Sequence, residues 1–237
     1  AGTADTLNLA VQGLGSATAD IAITAAGVET VAITSNAAAT AGGATNYLGL
    51  SGLTNATTIT VAGAADLDLG NVSTATTSLD ASASTGAITA ALGNAAAGAL
   101  TSVKTGTGDD SVTAAYGDLT ANATISLGSG ADTLTLTGAT AAAVSQFVMS
   151  GVETLNVSSI TGAATTVSLA KAGDVPSTII AGTSATGANV NYAGDLDFVG
   201  DSGAKNIDYI GATTGTITTD STGAVDIDVT ANAAATS

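Results

Sequence analysis

Cysteine, histidine, tryptophan and arginine are all missing from this chain of 237 residues, and proline occurs once, at Pro176. Without cysteine there is neither a disulfide framework nor a thiolate metal site. Without histidine there is no imidazole zinc site, and most acid–base and nucleophile schemes lose their usual proton carrier. Aromatic residues make up only 3%. The 45% hydrophobic share is largely alanine, which suits an interior that is narrow everywhere. Positive charge is also scarce: Lys104, Lys171 and Lys205 face 19 acids, for a net charge of −16. Such a surface repels nucleic acid and anionic lipid, so neither is an expected partner. No apolar run approaches the roughly 18 residues needed to span a bilayer, so no membrane insertion is expected. The sequence opens at Ala1 without a signal peptide or Met, which reads as a processed chain or a piece of a longer one. Calcium is the favoured ligand, because hard oxygen donors are what this composition has in excess, and bound cations would then couple to folding.

What is present is short β-rich runs. TLNLAV, VETVAIT, TTITVAG, DLDLG, ATISLG, DTLTLTG, VETLNV, TTVSLA, STIIAG and VDIDVT each alternate apolar with polar residues at period two, with glycine or small polar residues between them. Late in the chain their centres fall near Leu155, Val167, Ile179, Val190, Ile207, Ile217 and Ile227. Two strands per circuit gives coils of about 20 residues, eleven or so in all, the signature of a parallel β-solenoid. The near absence of proline agrees, since a ladder paired on both sides needs every N–H. Tandem antiparallel β-sandwich domains are the alternative. One segment, Gly138 to Gly151, has helical spacing at Val144, Phe147 and Val148 and reads as a short helix or a loop excursion.

The chain also repeats at long range. ADTLNL at Ala4–Leu9 returns as ADTLTL at Ala131–Leu136, and GVETVAI at Gly27–Ile33 as GVETLNV at Gly151–Val157. DLDL at Asp66–Leu69 returns as DLDF at Asp195–Phe198, TGAIT at Thr85–Thr89 as TGTIT at Thr214–Thr218, and GALTSVKT at Gly98–Thr105 as GAVDIDVT at Gly223–Thr230. The order is the same in both copies, so two units are expected, 1–125 and 126–237, within one continuous solenoid.

The chemistry concentrates in TGTGDDSVT at Thr105–Thr113 and LGSGADTLT at Leu127–Thr135. Both follow the repeat G-G-x-G-x-D-x-U-x, with U a large apolar residue, from its second position. A glycine turn can aim several carbonyls inward, and the Asp that ends it adds a carboxylate. The candidate calcium ligands are therefore Gly106, Gly108, Asp109 and Asp110 in one turn and Gly128, Gly130 and Asp132 in the next. The alternative is ordinary tight turns with Asp facing water. Three D-x-D pairs, Asp66/Asp68, Asp195/Asp197 and Asp226/Asp228, are secondary calcium candidates, with a solvated outer face as their plainer reading. Gly200–Asp208 looks like a calcium turn with Lys205 in place of the Asp. Glu29 and Glu153 occupy the same slot of the two G-V-E-T copies, where a turn hydrogen bond or an ion ligand is expected rather than catalysis. Thr-x-Thr pairs (TIT, TLT, TIT) are similar to those of ice-binding solenoids, but they are scattered where such proteins need one flat array.

GVETLNV following GSGADTLTLTG, in a cysteine-free, acidic chain rich in Ala, Thr and Gly, resembles the proteobacterial surface-layer (S-layer) proteins of RTX type. The resemblance implies type I secretion, folding outside the cell as calcium binds, and assembly of the protein with itself into a cell-surface lattice. It further implies Asp110 and Asp132 as calcium ligands, with carbonyls from Gly106, Gly108, Gly128 and Gly130. Attachment to a cell-surface polysaccharide would need a segment outside this sequence. The expected role is thus structural rather than enzymatic: an extracellular, self-assembling repeat protein. An adhesin or stalk module of a large secreted RTX protein is the first alternative. A β-solenoid enzyme acting on polysaccharide and an ice-binding protein are further ones; the enzyme lacks cations to hold an acidic substrate.

Overall fold

In the computed structural model the described residues are Gly2, 4–37, 45–92, 99–137 and 147–158, followed by the backbone of the strands between 164 and 230. Over the first fourteen strands the chain alternates between two faces as it winds, as two strands per circuit requires; after them it cycles through three sheets, so the later coils depart from that expectation. The first coils carry β1 (Thr6–Gln12), β2 (Ile21–Thr24), β3 (Thr30–Asn36), β4 (Asn46–Gly52), β5 (Thr58–Gly63), β6 (Leu67–Asn71), β7 (Ser78–Ser84) and β8 (Ile88–Ala91). The middle coils carry β9 (Leu100–Lys104), β10 (Ser111–Ala115), β11 (Leu119–Ser126), β12 (Thr133–Thr137), β13 (Val148–Ser150) and β14 (Thr154–Ser158). The last are β15 (Ala164–Ser168), β16 (Thr178–Gly182), β17 (Tyr192–Ala193), β18 (Asp195–Val199), β19 (Lys205–Ile210), β20 (Ala212–Thr214), β21 (Ile217–Thr219) and β22 (Val225–Thr230).

One face is a seven-stranded sheet, β1-β3-β5-β7-β9-β11-β13, and the other a ten-stranded sheet, β2-β4-β6-β8-β10-β12-β14-β16-β19-β22. Smaller sheets join β15-β18-β21 and β17-β20. Every ladder between named strands is parallel, which makes the fold a β-solenoid and removes the antiparallel sandwich. Partners in register are 20 residues apart at Thr58 and Ser78, 22 at Ser111 and Thr133, and 28 at Thr30 and Thr58, so coil length varies around the expected value. The strand β11 crosses the expected boundary between the two units, and the ladder β10-β12-β14 continues past it.

The period-two pattern does what alternation predicts: on β12, Leu134 and Leu136 are buried while Thr133, Thr135 and Thr137 look outward. The core is built of columns of inward side chains stacked in register along each sheet. Val31, Ile59, Leu79, Val103, Ile125 and Met149 stack in register on the seven-stranded sheet. Each is fully buried or nearly so, facing Leu and Ile from the other sheet. Two departures from expectation stand out. Val148–Ser150 is a strand, so the last residues of the proposed helix pair in the ladder instead; Val144 lies outside the described residues. A single 3-10 turn, Tyr116–Asp118, was not anticipated, and its buried Tyr116 packs edge-on against Phe147 at 6.4 Å between ring centres.

The long-range repeat acquires a geometric meaning. Strand β12, the copy of β1, lies eleven strands later, and so does β14, the copy of β3. Eleven is odd, so both copies move from the seven-stranded to the ten-stranded sheet. The same switch takes β9 to β22, and β6 and β8 pass from the ten-stranded sheet to β18 and β21 of the three-stranded one. The repeated segments of the second unit therefore join different sheets from their counterparts in the first. Either face accepts the same sequence, because each asks only for apolar residues inward and polar ones outward.

Candidate functional site

The two glycine turns stack. Pairing of Ser111 with Thr133 and Val112 with Leu134 sets Asp110 beside Asp132, one coil apart. Gly128 (φ 86°) and Gly130 (φ 150°) hold left-handed angles that favour glycine. A Cβ on Gly128 would run into the Gly106 carbonyl oxygen, and one on Gly130 into the Gly108 carbonyl oxygen. The glycines thus have a packing reason independent of any ligand, since a coil-to-coil approach this close has no room for side chains. The Gly106 carbonyl accepts the Ser129 N–H at 3.0 Å. Thr105 and Leu127 stand where the repeat would have its first glycine. The Thr105 hydroxyl is buried and donates to the Leu127 carbonyl at 2.6 Å, a cross-coil bond that glycine would not make.

Backbone amides and carboxylates form a ladder along this edge. Asp110 accepts the Ile88 N–H at 2.7 Å, Asp132 accepts the Asp110 N–H at 2.8 Å, and Glu153 accepts the Asp132 N–H at 2.8 Å. Asp109, on the outside, accepts the Ala131 N–H at 2.9 Å. Each bond ties one coil to the next. In Asp110 and Asp132 only Oδ1 is used this way: both residues are buried (1% and 0% exposed), and both Oδ2 atoms are enclosed without a hydrogen-bond partner. Burial pushes the Asp132 carboxyl up to about 6; the Asp110 amide pulls the other way, while the neighbouring Asp110, Glu153 and Asp109 charges add to the rise. Burial likewise raises the Asp110 carboxyl, against the Ile88 amide, with Asp109 adding to the rise. Two buried acids therefore stand on adjacent coils, both pushed toward the protonated form.

Glu29 repeats the role of Glu153: it accepts the Asp5 N–H at 2.8 Å, and Asp5 is the counterpart of Asp132. The G-V-E-T motif was thus legible as structural, but its link to the acid ladder was not, because the partner lies on the previous coil. Asp66 accepts the Ala87 N–H at 2.9 Å and Asp68 the Gly70 N–H at 2.8 Å, so both serve backbone amides rather than each other. Asp195, Asp197, Asp226 and Asp228 lie on β18 and β22, of which only the backbone is described. Lys205 begins β19, and residues 200–204 of its turn lie outside the described residues.

Among the described residues no three acids converge on one point. The carboxylate oxygens of this edge without a hydrogen-bond partner are Oδ2 of Asp110 and Oδ2 of Asp132. A separate cavity of about 460 Å³ opens on the outer face of the seven-stranded sheet, floored by Ala10, Ala32 and Ala62 and edged by Asn8, Thr34 and Asp80. The Asp80 carboxyl is held below the usual range by the Ser82 hydroxyl and amide, with Lys104 contributing. No helix among the described residues is long and apolar enough to cross a membrane. Comparison with family models, with curated proteins and with solved structures gave no match.

Proposed function

We propose that this chain is a structural, self-assembling extracellular protein, a segment of a surface layer or filament whose coils are stabilised by calcium. The observation that carries the reading is the pair of enclosed Oδ2 atoms of Asp110 and Asp132 on adjacent coils. Burying ionised carboxylates without compensation is costly, and a hard divalent cation is the partner that oxygen donors of this kind take. A composition of 19 acids against three lysines supports the same ligand, because internal ion pairs cannot balance it. The described edge supports a tile or rod more than a catalyst: it is built of amide-bonded acids, with no base beside them. The Gly106 carbonyl already accepts an amide, so in this reading the carboxylates hold the ion first and carbonyls complete its shell.

Light scattering on chelator-stripped protein during a calcium titration, with magnesium as control, tests the proposal. Particle growth with calcium alone is expected, and an Asp110→Asn/Asp132→Asn double variant should lose it. A monomer indifferent to calcium would reduce the glycine turns to packing devices and remove calcium-driven assembly.

A further inference from the structure

The first coil leaves a surface open that the same sequence, deeper in the stack, keeps covered. Among the described residues β1 has a single ladder partner, β3, and β2 a single partner, β4. The apolar residues there are not closed over. Leu7, Leu9, Leu14 and Ile23 are only partly buried, and Ile21, 42% exposed, is the one large hydrophobic side chain exposed among the described residues. Nothing blunts the edge: Thr6–Gln12 carries neither charge nor proline, and the β1-β3 ladder keeps its register over all seven residues without a bulge. Unprotected edges of this kind are where a further strand pairs.

What such a strand must look like follows from the second copy of the sequence. Strand β12 repeats β1, with Asp132, Thr133, Leu134 and Leu136 at the places of Asp5, Thr6, Leu7 and Leu9. On the side of the following coil the two copies are bonded alike. Thr6 pairs with Thr30 and Leu7 with Val31, as Thr133 pairs with Thr154 and Leu134 with Leu155. Glu29 accepts the Asp5 N–H as Glu153 accepts that of Asp132. On the side of the preceding coil they differ. There β12 is covered by β10, with Val112 beside Leu134 and Ala114 beside Leu136, and the Asp132 carboxylate takes the Asp110 N–H. Strand β1 offers the same residue types and an exposed Asp5, with no ladder on that side among the described residues.

We propose that β1 is an acceptor for strand addition, and that its partner is a parallel strand of the β10 type from another polypeptide of the same repeat. The interior copy sets the register. Counterparts of Ser111, Val112, Thr113 and Ala114 lie beside Thr6, Leu7, Asn8 and Leu9, and the amide at the Asp110 position is given to the Asp5 carboxylate. Main-chain hydrogen bonds supply affinity, and the apolar residues beside Leu7 and Leu9 supply selection. The core also demands a parallel partner. A second copy related by a two-fold axis would bring β1 against β1 either antiparallel or with its apolar residues outward, and neither continues the column of Leu7, Val31 and Ile59. Ala1 and Thr3 bring side chains to positions that the interior copy keeps as Gly128 and Gly130, so recognition falls to the strand rather than to a glycine turn. The contact needs no ion and is independent of calcium.

A labelled peptide of residues 105–115, titrated with the full chain in the presence of a chelator, tests the proposal by fluorescence anisotropy and amide hydrogen exchange. Saturable binding is expected, with slowed exchange at the β1 amides that β3 leaves unpaired. A peptide carrying Val112→Lys should fail to bind, and so should the unchanged peptide on a Leu9→Lys chain, because a charge would then be buried in the joint. Thr34→Lys, exposed on the next coil, should leave binding intact, and circular dichroism checks that both chain variants keep the β-fold. Absence of saturable binding, equal binding of a peptide with the same residues scrambled, or protection at β22 instead of β1 would each overturn the proposal. Particle growth with calcium does not enter these readings, so strand addition and calcium-driven assembly stand or fall separately.

Discussion

The chain contains the same local step twice, once at the first coil and once inside the stack. Asp5 leads into Thr30 through Gly27 and Glu29, and Asp132 leads into Thr154 through Gly151 and Glu153. The bonding is identical: Glu29 and Thr30 both donate their amides to the Asp5 carbonyl at 3.1 Å, and Glu153 and Thr154 donate theirs to the Asp132 carbonyl at 3.2 and 3.0 Å. Gly27 and Gly151 are both left-handed, at φ 71° and 61°. What differs is surroundings. Asp5 is exposed and Leu7 and Leu9 are half-buried, whereas Asp132, Leu134 and Leu136 are fully buried. Sequence sets the turn; the coil beneath it sets the energetics.

The largest separation between the two copies is expected at their glycines. A Cβ on Gly151 would strike the Gly128 carbonyl oxygen, while a Cβ on Gly27 meets nothing within 4 Å. Both substitutions incur the left-handed strain of about 1–2 kcal/mol, and only Gly151→Ala adds a backbone clash, for a total of about 3 kcal/mol or more. Urea midpoints of the two variants measure the gap. Equal losses would mean that the stack yields at Gly151 and that close packing of the turns is not what requires glycine.

The next contrast is in the core. Leu134→Ala empties a fully buried position between Val112 and Leu155, at a cost of about 3 kcal/mol, whereas Leu7→Ala, half-buried at the end coil, should cost about 1 kcal/mol. Thermal or urea unfolding of both variants checks the ratio. A cost at Leu7 as large as at Leu134 would show the first coil to be covered in solution.

This comparison also marks how far the sequence could be read. Strand positions and the coil length followed from alternation and from the 22-residue spacing of the glycine turns, both of which are local signals. The change of sheet between the two units did not, because inward and outward patterns are the same on either sheet, and nothing in ADTLNL says which face it will join. The acid ladder was half legible: Asp110 and Asp132 announced themselves, but the amides they accept, and the place of Glu153 in the series, depend on which coil lies next.

The smallest contrast is electrostatic, and its sign can be worked out. The Asp132 carboxyl in the stack is raised to about 6, above an unfolded value of about 3.9. The folded state therefore holds the proton more tightly than the unfolded one. The stability this contributes is present in full below about pH 4 and is lost as the pH rises through about 6. Asp110, raised in the same direction, adds to the decline. In the presence of a chelator, urea midpoints should fall between pH 4 and 7. Asp132→Asn should flatten part of that fall while keeping the Oδ1 acceptor for the Asp110 amide. Asp5→Asn, at the exposed equivalent, is the matched control and should leave the slope in place. Calcium should cancel the decline in the wild type and have little left to correct in Asp132→Asn. A full slope surviving in Asp132→Asn would mean that burial in the stack does not govern this carboxylate, and the distinction between the end copy and the interior copy would then rest on packing alone.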